Sequence, residues 1–114
     1  MVINYRTCPS LPEIVPQWVE TFQEVVAHPG NHVSVQCITT GIPLPVISWS
    51  IDGLPIKSNS QHLITSAVDK EGNAISKLSI NSPSVEDGGV YSCSATNNGG
   101  QAHHSARINI YGNV

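Results

Sequence analysis

Apolar and polar residues alternate with a period of two over several short stretches of the chain. Val33, Val35 and Cys37 are separated by Ser34 and Gln36, and Ile47, Trp49 and Ile51 by Ser48 and Ser50. Leu78 and Ile80, then Tyr91, Cys93 and Ala95, then Ala106, Ile108 and Ile110 repeat the pattern. Successive side chains of a β-strand point to opposite faces, so each run predicts a strand with one face in a core. Between Trp49 and Leu78 there is room for a short strand near Ile56 and another from Leu63 to Val68, turned by Asp69-Lys70-Glu71-Gly72-Asn73. Asn97-Asn98-Gly99-Gly100 predicts the hairpin between the last two strands, because Asn and Gly tolerate positive φ. Residues 1–12, with Pro9 and Pro12, read as a linker, leaving 13–112 as one domain; 114 residues is a single-domain length.

Four residues turn these strands into an architecture. Trp49 follows Cys37 by twelve residues, and Tyr91 precedes Cys93 by two. In two antiparallel sheets packed face to face, one cysteine from each sheet can bridge the core while a Trp covers the bridge. A Tyr two residues before the second Cys can return its hydroxyl to the backbone of the preceding corner. The frame predicts an all-β, immunoglobulin-like sandwich. A bridge from Cys37 to Cys93 would remove chain entropy worth about 4 kcal/mol and would persist in an oxidising compartment. The alternative is a pair of buried free thiols, as in intracellular domains of this kind in muscle proteins. Cys8, in Thr7-Cys8-Pro9-Ser10, is left over as a free thiol, a crosslink to another chain or a boundary remnant.

The chain resembles an I-set immunoglobulin domain in Gly41-Ile42-Pro43-Leu44-Pro45 before the Trp49 strand and in Leu78-Ser79-Ile80 as the fifth-strand signature. Asp87, Gly89, Tyr91, Cys93, Ala95, Asn97 and Gly100 continue the match. The closing run His104-Ser105-Ala106-Arg107-Ile108-Asn109-Ile110-Tyr111-Gly112, with Glu86-Asp87-Gly88-Gly89-Val90-Tyr91, is similar to the arthropod branch of the Down syndrome cell adhesion molecule family. The resemblance implies sheets conventionally lettered A, B, E, D and A′, G, F, C, C′, bridged by the disulfide, with Trp49, Leu78, Asp87 and Tyr91 as core framework. One departure stands out: many relatives pair the aspartate at the Asp87 position with an Arg, but no Arg lies between Trp49 and Cys93. Lys57 or His62 is the candidate substitute.

Charge and composition narrow the function. A net charge of −3 with five Lys and Arg offers no basic field for nucleic acid or an acidic membrane surface. No apolar run approaches the roughly 18 residues of a membrane span, and Met1 leads into no secretory leader, so the natural protein is expected to be longer. No Ser sits in a Gly-x-Ser-x-Gly turn, and the aspartates fall mainly in loops, so catalysis is not expected. Neither a metal nor a cofactor is expected. His103 and His104 are adjacent on a strand and point to opposite faces, and His28 and His32 flank a turn, which reads as surface histidine. Gly99-Gly100 precedes no helix that would make a phosphate site.

Protein recognition remains. Ser48, Ser50, Ser92 and Ser94, with Arg107 and Asn109, make the outer face of the C, F and G strands small, polar and solvated. On the other sheet, Ile75 and Lys77 point outward beside Ser34 and Gln36, and one of Leu63 or Ile64 joins them. The chain has no Asn-x-Ser/Thr acceptor, so N-linked glycan blocks neither face. The family resemblance implies an extracellular, membrane-tethered adhesion receptor in which selected domains bind the same domain on an opposing molecule. The expected partner is therefore an identical domain, in an antiparallel two-fold contact through Ser34, Gln36, Leu63, Ile64, Ile75 and Lys77. A heterophilic receptor would use the loops at residues 41–45 and 97–100. A structural spacer in an intracellular filament protein would use neither.

Overall fold

The computed structural model describes residues 12–112. Nine strands follow one another: β1 Ile14–Glu20, β2 Val25–Ala27, β3 Val33–Ile42, β4 Val46–Ile51, β5 Leu54–Pro55, β6 His62–Val68, β7 Ala74–Ile80, β8 Gly89–Asn97 and β9 Gly100–Ile110. They form a sheet in the order β1-β3-β7-β6 and a second in the order β2-β9-β8-β4-β5. These are the A, B, E, D and A′, G, F, C, C′ sheets that the resemblance implies. All pairings are antiparallel except β2 with β9, which is parallel.

The period-two pattern decides what lies between the sheets. Val33, Val35 and Cys37 of β3, Leu78 and Ile80 of β7, Tyr91, Cys93 and Ala95 of β8, and Ile108 and Ile110 of β9 are buried. Ile47, Ile51 and Ala106 pack against them from their rims. Burial of each large side chain contributes about 1.5–3 kcal/mol before chain entropy is subtracted. Cys37 and Cys93 are bonded across the two sheets, with Cα atoms 6.7 Å apart and a sequence separation of 56. Trp49 lies over the bridge region and donates its indole N–H to Ser76 Oγ at 2.8 Å, so its one polar atom is satisfied inside the core.

Several core members have little signal in the alternation. Phe22, between β1 and β2, is 6% exposed, with its ring centroid 5.7 Å from that of Trp49. Thr39 is fully buried because its hydroxyl bonds the carbonyls of Gln17 and Thr40. β1 carries a register shift between Trp18 and Glu20, which leaves Val19 outside the regular pairing on the sheet edge.

Two turns differ from expectation. The β8–β9 hairpin has only Asn98 and Gly99 between its strands, and neither takes positive φ. The Asn97 side chain shapes it instead, with Oδ1 accepting from Gly99 N at 2.8 Å and Gly100 N at 3.2 Å. The positive-φ pair is Asp52 and Gly53, at φ 48° and 82°, in the tight hairpin from β4 to β5. That hairpin starts the short strand at Leu54–Pro55, just before Ile56.

Candidate functional site

At the lower corner of the sandwich, Asp87 organises the approach to β8. A short 3-10 turn covers Val85–Asp87; Asp87 Oδ2 accepts from Ser84 N at 2.7 Å and from Gln61 Nε2 at 3.1 Å. The Tyr91 hydroxyl donates to the Asp87 carbonyl. Burial pushes the Tyr91 phenol well above its ordinary value, with the nearby Asp87 and Asp52 carboxylates adding to the effect. His62 occupies the place of the missing arginine: its Nε2 lies 3.4 Å from Asp87 Oδ1, an ion pair when the imidazole is protonated. Lys57 makes no ion pair among the described residues.

The outer face of β1-β3-β7-β6 can be read row by row from the pairing. Ser34, Ser79 and Leu63 form one row; Gln36, Lys77 and Thr65 the next; Glu20, Ile38, Ile75 and Ala67 the third. Leu63 is exposed, whereas Ile64 turns inward against the core and leaves the candidate surface, since adjacent strand residues face opposite ways. Leu63 is not beside Ile75, because the Lys77 row lies between them. The neighbours of Ile75 are Ile38 and Ala67, which makes an aliphatic strip that the sequence reading missed. Carrying the β3 alternation two residues on to Thr39 puts Ile38 on this face. Glu20 Oε2 accepts from Gln36 Nε2 at 2.7 Å, and neither Glu20 nor Lys77 has an ion-pair partner among the described residues.

The opposite outer face is knit by its own hydrogen bonds. Ser94 Oγ lies 2.9 Å from His103 Nδ1, His103 Nε2 3.1 Å from Ser105 Oγ, and Ser105 Oγ 2.7 Å from Ser92 Oγ. Asn109 Nδ2 donates to Glu24 at 3.0 Å, while Ser48 and Arg107 stand exposed. His104 departs from the surface reading: it points inward, edge-on to Phe22 with centroids 5.2 Å apart, and its Nε2 sits 2.7 Å from the Phe22 carbonyl. Among the described residues no three His, Cys, Asp or Glu side chains gather as metal ligands would.

At the upper pole, Asn97 joins two loops. Its Nδ2 donates to the Ile14 carbonyl at 2.7 Å and the Pro43 carbonyl at 3.0 Å, fixing the residue 41–45 loop beside the β8–β9 hairpin. Gly41 is needed for this approach: at φ 156°, a Cβ there would meet Pro45 Cγ at 2.7 Å. Cys8 lies outside the described residues.

Residues 16–110, nearly the whole sandwich, match the immunoglobulin I-set domain family. The chain belongs to that family. Over 102 residues, or 90% of the chain, this I-set domain is 41% identical to the cell adhesion molecule DSCAM of Gallus gallus, and equally so to Dscam2 of Drosophila melanogaster. It spans 5% of the length of each, and the shared value shows likeness on both the vertebrate and the insect side. Among solved structures, the N-terminal eight immunoglobulin domains of a Down syndrome cell adhesion molecule superpose with a TM-score of 0.82 at 38% identity. That match covers 87% of this chain and 13% of the other. The titin domains Z1Z2, in complex with telethonin, reach the same TM-score at 31% identity, covering 90% of this chain and 50% of that one. Shape alone therefore does not separate adhesion domains from filament domains, whereas the adhesion molecules carry the higher identity.

Proposed function

We propose that this I-set domain is an extracellular domain of an adhesion receptor and that it recognises an identical domain on an opposing molecule. The contact is assigned to the outer face of β1-β3-β7-β6. The observation that carries this reading is the Ile38, Ile75 and Ala67 strip, rimmed by Gln36, Lys77, Thr65 and Glu20. An aliphatic centre inside a polar rim is the anatomy of a protein interface. Glu20 and Lys77 supply one charge of each sign, so a two-fold copy meets its complement and not its like. Ser34 and Leu63 extend the same face by one row. The disulfide supports an oxidising, extracellular setting, and the similarity to cell adhesion molecules supports the receptor class.

Sedimentation velocity on the oxidised Cys8→Ser domain, over a concentration series, tests the reading. Association weakened at least about tenfold in Ile75→Asp while the fold is kept supports it; association unchanged in Ile75→Asp removes the face. A heterophilic reading has its own support in the upper pole, where Asn97 holds the two loops together next to exposed Ile42 and Leu44. Binding to a foreign protein that is lost in Leu44→Asp, with no self-association, would favour it.

A further inference from the structure

We propose that the open half of the β6 edge is a second self-recognition surface, at which two copies pair β6 with β6 antiparallel about Ala67. This edge-to-edge contact goes beyond the face-to-face reading and uses a different row of groups. β6 is the last strand of its sheet. The first half of its outer edge is closed: His62 N and Ile64 N donate to Asn59 Oδ1 at 2.7 Å and Ser58 Oγ at 3.0 Å, and Asn59 N donates to the His62 carbonyl at 2.8 Å. The β6–β7 register runs without a shift from His62 opposite Ile80 to Val68 opposite Ala74. The same parity therefore sends the backbone groups of Ser66 and Val68 outward as well. Neither has a partner on that side among the described residues.

Such an edge is ordinarily blunted by Lys, Pro or a bulge. Here Ser66, Ala67 and Val68 are all exposed and uncharged. Beneath them lies a cleft of about 290 Å³ lined in part by Leu44, Val46, Val68 and Ala74, with Val46 73% and Val68 57% exposed. The open stretch is short, bounded by the Ser58–Asn59 cap on one side and the Asp69–Asn73 turn on the other. A long foreign strand would run into the cap. β6 of a second copy fits, because it turns away at Asp69, where the cap begins opposite it. About a two-fold axis at Ala67, Ser66 lies across from Val68 of the second copy and the reverse, giving about four backbone hydrogen bonds. The Asp69–Asn73 turn of one copy, which carries Lys70 and Glu71 beside an Asp69 already bonded within the turn, then approaches the segment bearing Lys57 of the other, and Val68 of the second copy lies over the cleft mouth.

Mild oxidation of the Cys8→Ser domain carrying Ala67→Cys, read on non-reducing gels, tests the register. The Ala67 counterparts are a non-hydrogen-bonded pair about 4.5 Å apart at Cα, so a disulfide-linked dimer is expected. Thr65→Cys is the control: its counterpart is about 13 Å away, beyond the roughly 7 Å that a disulfide spans, so it stays monomeric. Adding Ser66→Pro to Ala67→Cys removes an outward N–H without touching the β7 ladder and should slow crosslinking at least about tenfold. If the proline variant fails to melt as a folded domain, Ser66→Lys replaces it, because a lysine at an exposed edge blocks pairing. Ile75→Asp should leave the crosslink intact while abolishing any face contact, so the two surfaces fail separately. Equal crosslinking by Thr65→Cys, no crosslink by Ala67→Cys, or loss of the crosslink in Ile75→Asp would overturn the proposal.

Discussion

The two outer faces of the sandwich share one strand geometry and differ in where their polar groups find partners. On β2-β9-β8-β4-β5, the side chains of Ser92, Ser94, His103 and Ser105 bond one another in a continuous chain. On β1-β3-β7-β6, Glu20 and Lys77 have no ion-pair partner among the described residues and flank the half-buried Ile38 and Ile75. A serine–histidine chain already satisfied gains little by meeting another protein, even with Arg107 exposed beside it, whereas charges that flank an aliphatic strip gain both burial and pairing. Overall polarity would not have separated the faces, because both are rich in Ser, Thr and Gln.

A matched pair of carboxylates, one on each outer face, is expected to have the largest effect. Ile75→Asp places a charge in the centre of the aliphatic strip and is expected to cost self-association at least about 2 kcal/mol, a factor of roughly 30. Ser48→Asp places the same charge on the exposed part of the opposite face and is expected to change nothing. Sedimentation of both variants at matched concentrations decides it; equal loss in the two would mean that net charge, not the strip, sets association.

The next effect belongs to the core that both faces share. Tyr91→Phe removes the hydroxyl bond to the Asp87 carbonyl and is expected to cost about 1–2 kcal/mol of stability, with no face-specific effect on association. Its pH dependence has a definite sign. The folded phenol is raised above its ordinary value of 10.0, so the native state holds the proton more tightly than the unfolded chain. Its contribution is fully present below about pH 10 and is lost as pH rises beyond that. Denaturant melts at about pH 8 and about pH 11 should therefore show a smaller alkaline loss in Tyr91→Phe than in the parent. An identical loss would show that Tyr91 does not drive it.

A smaller effect tests the charges. Lys77→Glu is expected to weaken association by about 0.5–1 kcal/mol, more at low salt than at high, and adding Glu20→Lys should restore part of it. No recovery in the double variant would mean that these two charges do not meet across the contact.

Most of the sandwich was legible from alternation and from the Cys37, Trp49, Tyr91 and Cys93 frame, since strand faces and a buried bridge follow from local pattern. The parts that were not legible depend on long-range geometry. Ile38 was overlooked because Thr39 does not look like a core residue; its hydroxyl is buried only because the Gln17 and Thr40 carbonyls receive it. The choice between Leu63 and Ile64 needed the register with β7, and a one-residue slip would have exchanged them. Lys57 and His62 could be named as alternative partners of Asp87 but not decided between, because the 24 residues between His62 and Asp87 must first fold into a hairpin and a corner. The Asn97 clamp reaches residues 83 and 54 positions away, which no local pattern reveals.

The finest distinction between the faces lies in the serine chain itself. Ser105→Ala removes one link between the His103 ring and Ser92, and Ser92 is 7% exposed, so its hydroxyl is left with little access to water. The expected cost is about 0.5 kcal/mol, because of the two hydrogen bonds lost, the one to the exposed His103 is replaced by water and the one to Ser92 is partly offset by rotation of its free hydroxyl. Ser92→Ala together with Ser105→Ala removes both partners and should be closer to neutral than Ser105→Ala alone, since no orphaned group remains. Thermal melts of the two variants measure this, and sedimentation should show self-association unaffected in both. A drop in association with Ser105→Ala would place a contact on the self-satisfied face and reverse the assignment of the two surfaces.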